Sequence, residues 1–69
     1  MSGITREIKE RYGRMEGEGY QLEINLVSWN GREPKIDIRP WDENSDRCGK
    51  GITLTKEEAR WVASILSQV

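Results

Sequence analysis

Four apolar residues in strict alternation constrain this chain more than any other feature. Tyr20, Leu22, Ile24 and Leu26 are separated by Gln21, Glu23 and Asn25, the period-2 signature of a strand buried on one side. Asn30-Gly31 comes next, and because both residue types tolerate positive φ the pair predicts a hairpin turn. Beyond it Ile36 and Ile38 alternate with Lys35, Asp37 and Arg39, and Pro34 suits the start of a strand or an edge. A one-residue slip would expose every isoleucine, so burial sets the register. The isoleucines and leucines are therefore expected on a helix-covered face. Trp29, Lys35, Asp37, Arg39 and Trp41 then share the open face, which puts two indoles on the parity the isoleucines avoid.

The flanks complete the architecture. Ile4, Ile8 and Tyr12 share strand parity among charged neighbours, and their spacing of four also suits a helix; a strand is preferred. Gly13, Gly17 and Gly19 break the pattern and suggest a loop or bulge. A polar stretch from Asp42 to Gly49 forms a connection, and Ile52 and Leu54 supply a short fourth strand. Thr55 and Glu58 have the spacing of a capping box. The helix they open is predicted from about Lys56 to the end, with an apolar stripe of Ala59, Val62, Ile65 or Leu66, and Val69. The expected fold class is α+β: one domain over residues 1–69, a four-stranded antiparallel sheet followed by one C-terminal helix (ββββα). A chain of 69 residues buries only about 60% of its unfolded surface, so a homodimer or a well-packed helix is expected to support it. Trp61 is expected in the core or at a dimer interface.

Several function classes drop out. No histidine is present, which removes the commonest general base and metal ligand. The single cysteine, Cys48, cannot build a thiolate zinc site or an internal disulfide and fits a reducing compartment. Asp42, Asn44 and Asp46 imitate the first ligands of a calcium loop. However, Arg47 and Thr53 stand where its glycine and closing glutamate belong. Gly49-Lys50-Gly51 lacks the spacing of a P-loop and leads into a strand. No enzyme and no cofactor is expected. There is no apolar run long enough for a membrane span and no signal-peptide core at MSGITREIKE, so no membrane partner and a cytoplasmic location are expected. Net charge is −1 and the two halves are balanced in sign, so any basic patch must be made by folding.

What remains is a surface. Single strands are held by aromatic rings on which bases stack, with cations nearby for phosphates. Trp29 and Trp41 are the candidate platforms. Lys35 and Arg39 are the cations of the same face, Lys50 sits between two small neighbours, and Arg32 and Arg47 lie in loops at the margins. A tryptophan of exposed parity is equally open to being covered by the first strand, a loop or a partner subunit. Asp37 would repel phosphate unless paired with Arg39 or Lys35.

The segments VSWN, EPKIDIRPW and GKGITLT resemble the positive cofactor four family of transcriptional coactivators, in particular its short bacterial members, from about Tyr20 to the C-terminus. The resemblance implies a homodimer of four-stranded curved sheets, with the helices contributing to the dimer contact. It also implies binding of single-stranded or melted DNA across the open faces. By motif it assigns nucleic-acid contacts to Arg39, Trp41 and Lys50, and further ones to Trp29 and Lys35. These 69 residues contain no Ser- and Lys-rich tail like that of eukaryotic members, so tail-dependent regulation is not expected. Two alternatives remain beside the single-strand reading. One is a protein-interaction module using the tryptophan face. The other is an RNA binder, since stacking does not distinguish RNA from DNA without contacts to the 2′-hydroxyl.

Overall fold

The computed structural model describes residues 5–42 and 48–69. Four strands, β1 (Arg6–Glu16), β2 (Tyr20–Trp29), β3 (Lys35–Asp42) and β4 (Ile52–Leu54), precede one helix, α1 (Lys56–Leu66). The strands form an antiparallel sheet in the order β1-β2-β3-β4. Element order and type match the sequence reading. The helix ends at Leu66, with Ser67 as its C-cap, rather than running to Val69. The capping box forms as predicted. Thr55 Oγ1 accepts from the Glu58 N–H at 3.0 Å, and the Glu58 carboxylate accepts from the Thr55 N–H at 2.9 Å.

The turn after β2 has the chemistry that Asn-Gly calls for. Asn30 and Gly31 both adopt positive φ, 54° and 74°, and the Arg32 N–H closes the turn on the Trp29 carbonyl at 2.9 Å. Two positive φ values in succession define a type I′ turn. Asn30 also ties down the start of β1: its side-chain oxygen accepts from the Thr5 N–H and its N–H donates to the Thr5 carbonyl, both at 2.8 Å.

The register places Glu23, Asn25 and Val27 of β2 opposite Arg39, Asp37 and Lys35 of β3, with Ile24 and Leu26 opposite Ile38 and Ile36. The expected partition of side chains into an indole face and an aliphatic face is therefore present. Strand β1 is less regular. Register shifts between Ile8 and Glu10 and between Arg11 and Gly13 interrupt its pairing with β2. Ile8 consequently sits opposite Val27 on the indole face, and Tyr12 falls at the second irregularity. The common parity of Ile8 and Tyr12 is broken.

Burial inverts the sequence expectation. Glu23, Asn25, Val27, Asp37 and Trp41, all on the indole face, are at most 3% exposed. On the aliphatic face Ile24 is 39% and Ile52 is 52% exposed. No residue of α1 is buried, and Trp61 is 65% exposed, so it is not a core residue of this chain. The cause is the curl of the sheet. Arg6 lies opposite Trp29 at one end of β2, and Trp41 lies opposite Gln21 at the other. On a flat sheet these levels would be about 26 Å apart. The Arg6 guanidinium is nevertheless 4.3 Å from the centroid of the Trp41 ring. Opposite corners meet over the indole face, which is the concave one. Bulges bend strands and increase twist in this way. The concave side buries its own side chains, and the convex aliphatic side is left to α1, which lies against β3 and β4.

Candidate nucleic-acid interface

Two guanidinium–indole stacks organise the concave face. Arg39 of β3 lies 4.9 Å from the centroid of the Trp29 ring, and Arg6 of β1 caps Trp41. Both are within cation–π range. They also span the sheet diagonally, because Arg39 pairs at the level of Glu23, six positions along β2 from Trp29. Neither ring is a bare platform. Trp29 is half-buried and Trp41 is 3% exposed, which corrects the expectation of two uncovered indoles. The reason is that curl brings a β1 arginine onto the deeper ring. Among the described residues the indole N–H groups of both tryptophans are buried and have no acceptor.

Asp37, the expected obstacle to phosphate, is neutralised. Its carboxylate accepts from Arg39 Nε at 2.7 Å and Nη2 at 2.8 Å, and from Thr53 Oγ1 at 3.1 Å. This bidentate geometry is the strong form of a carboxylate–guanidinium pair. Burial by itself would lower the Arg39 pKa. The hydrogen bonds and charge of Asp37, with a contribution from Cys48, outweigh that and hold it above its ordinary value. Arg39 is therefore a permanent cation, partly committed to Asp37.

The sequence reading missed a row of arginines on β1. Arg6, Arg11 and Arg14 pair opposite Trp29, Asn25 and Glu23, all on the concave face. Arg11 and Arg14 lie 3.5 and 4.0 Å from the buried Glu23 carboxylate, which also accepts from Asn25 Nδ2 at 3.0 Å. Both arginines are largely exposed, so these loose ion pairs leave their charge at the rim. A cleft of about 420 Å³ opens among Arg11, Tyr12, Arg14, Glu23 and Asn25. Positions 6, 11 and 14 do not share one parity, so only the two bulges put them on one face. No period-2 reading could have found them.

The remaining predicted residues are dispersed. Lys35 is exposed at the first position of β3, opposite Val27. Arg32 is exposed in the turn, where its carbonyl accepts from Ser28 Oγ at 2.6 Å. Lys50 is exposed ahead of β4. Its glycine neighbours have packing roles of their own. A Cβ at Gly51 would run into Arg39 Cβ and the Ile38 carbonyl, and the Gly49 N–H donates to the Pro40 carbonyl at 2.8 Å. Arg47 lies outside the described residues. The structure thus brings together Trp29, Arg39 and Asp37, and separately Trp41 with Arg6.

The family model described as Transcriptional Coactivator p15 (PC4) matches residues 17–64. The chain belongs to the PC4 family. An uncharacterized protein of Treponema pallidum (strain Nichols) is 37% identical to it over 65 residues, covering 91% of this chain and 76% of the relative. Membership places this PC4 chain among DNA-binding coactivators whose general ligand is single-stranded DNA. The matched segment holds β2, β3, β4 and most of α1 but not the β1 arginines. Among the described residues no helix is long and apolar enough to cross a membrane.

Proposed function

We propose that this chain is a homodimeric, sequence-tolerant single-strand binder of the short bacterial type, acting in transcription or DNA maintenance without catalysis. The strand lies along the concave face, against the guanidinium-capped indoles Trp29 and Trp41. Lys35, Arg39, Arg11 and Arg14 supply positive charge, with Lys50 and Arg32 as exposed cations at the margins. The observation that carries this reading is the convergence of both indoles and four arginines on one concave surface. Its buried carboxylates are already engaged by arginines. A strand on such a surface gains stacking of roughly 1–3 kcal/mol per base and releases counterions.

Support for the dimer comes from the other face. Ile24, Ile52, Trp61, Ile65 and Leu66 are exposed in a single chain, and among the described residues only Val27, Trp41 and Leu54 form the buried apolar core. A second copy covering the aliphatic face would supply the burial that a chain of this size lacks. Sedimentation of Ile24→Lys against the native chain tests this, and a native chain that sediments as a monomer refutes it.

The binding test is a titration of tryptophan fluorescence with single-stranded DNA, duplex DNA and single-stranded RNA at low and moderate salt. The expected result is quenching that prefers single strands and weakens steeply with salt. No response at low salt refutes the reading. Salt-insensitive binding of an extended peptide instead would favour a protein-interaction module.

A further inference from the structure

The cap on Trp41 comes from outside the family-matched segment. Arg6 precedes residue 17, where the match begins. Its guanidinium lies 4.3 Å from the ring centroid and donates a long hydrogen bond of 3.8 Å to Cys48 Sγ. Arg11 and Arg14 are drawn to Glu23, and Arg39 is fixed by Asp37. Among the described residues Arg6 makes no ion pair. It is exposed, whereas the ring beneath it is 3% exposed. Among the described residues the buried Trp41 indole N–H has no acceptor, an arrangement that normally costs about 1–3 kcal/mol. A small cavity of about 100 Å³ adjoins the pair, lined by Arg6, Ile8, Arg11, Glu23 and Trp41.

We propose that the seat above Trp41 is a nucleobase subsite held in the free chain by Arg6, and that an entering strand displaces this guanidinium. A planar cation on an aromatic ring occupies the place a stacked base would take. Displacement exchanges one stack for another and frees Arg6 to meet a phosphate. It also opens the orphaned indole N–H to an acceptor oxygen of the ligand. Arg6 is thus both an internal competitor for the ring and a phosphate contact once moved. Arg39 has no such freedom, because two short hydrogen bonds to Asp37 hold it on Trp29. Of the two rings, the one buried deeper is the one with the removable cover.

The inference rests on the single-strand reading of this face, and the experiment separates the two. The indole N–H signals of the isotope-labelled native protein are followed by NMR during titration with a thymidine oligonucleotide, with binding measured in parallel by anisotropy. The expected result is a large shift of the Trp41 signal on binding. Arg6→Gln should speed solvent exchange of that signal in the free protein. It should also shrink the fall in affinity between 50 and 200 mM salt by roughly 2.6-fold, the loss of one single-strand phosphate contact. Arg6→Lys should keep the salt dependence while still uncovering the ring. Binding with an unmoved Trp41 signal, or an unchanged salt dependence in Arg6→Gln, overturns the proposal and leaves the single-strand reading standing. Absence of binding overturns both.

Discussion

Replacing Asp37 by asparagine probes the electrostatic floor of the concave face. Asp37 is 1% exposed and the Arg39 side chain 16% exposed, joined by bonds of 2.7 and 2.8 Å. Asp37→Asn keeps the shape of the side chain but removes its charge and turns an amide donor toward a guanidinium donor. Breaking a fully buried pair costs about 3–5 kcal/mol. Arg39 retains some access to water and can reorient, so the expected loss is about 2–3 kcal/mol. A domain of this length has total stability of only about 3–10 kcal/mol, and the urea midpoint should fall by about 2 M. Urea unfolding at fixed protein concentration, repeated for Asp37→Asn, Arg39→Ala and the double variant, gives the coupling between the two residues. A coupling near 2 kcal/mol is expected, and a value within about 0.5 kcal/mol of zero would refute the argument. The pH dependence is also defined. The folded-state pKa of Arg39 is raised above its unfolded value, so its contribution is fully present below that unfolded value. It is lost only as pH rises through the folded one, far into the alkaline range. Deprotonation of Arg39 should therefore not change the coupling between pH 6 and pH 10.

Four other substitutions test the packing and the binding face. Gly51→Ala forces a Cβ against Arg39 Cβ and the Ile38 carbonyl and should destabilise by about 1–3 kcal/mol in thermal melts; an unchanged melting temperature would contradict the β3–β4 approach. Thr55→Ala removes the capping hydrogen bond at a cost of about 1 kcal/mol, a fall of roughly 4–8 °C in Tm. Trp29→Ala should weaken single-strand binding by about one stacked base, 1–3 kcal/mol. Trp41→Ala should also reduce stability by about 3–5 kcal/mol, because that ring is part of the core; equal stability of the two variants would count against its burial.

How much of the site could be read in advance depends on which strand carries it. On β2 and β3 the alternation is unbroken, so the shared face of Trp29, Lys35, Asp37, Arg39 and Trp41 was legible from parity. The pairing of Asp37 with Arg39, two residues apart on that face, was open to anticipation for the same reason. On β1 the two bulges destroy parity, and Arg6, Arg11 and Arg14 gave no sign of sharing the concave face. The close approach of β3 that Gly51 permits was not legible beside Lys50, because it depends on pairing between strands rather than on local sequence.

Local chemistry determined the elements by itself. Alternating side chains commit a segment to the pleat, Asn30 and Gly31 supply the two positive φ values of the turn, and Thr55 with Glu58 opens the helix, each within a few residues of chain. Which face is buried was decided only by tertiary structure. It depends on the curl of the sheet, which arises from twist and bulges accumulated across strands and brings together corners that register alone keeps far apart. Hydrophobic pattern names the side that resists water, but curvature chose which side closes. Here it closed over charged residues and two indoles, leaving the aliphatic side partly covered by α1.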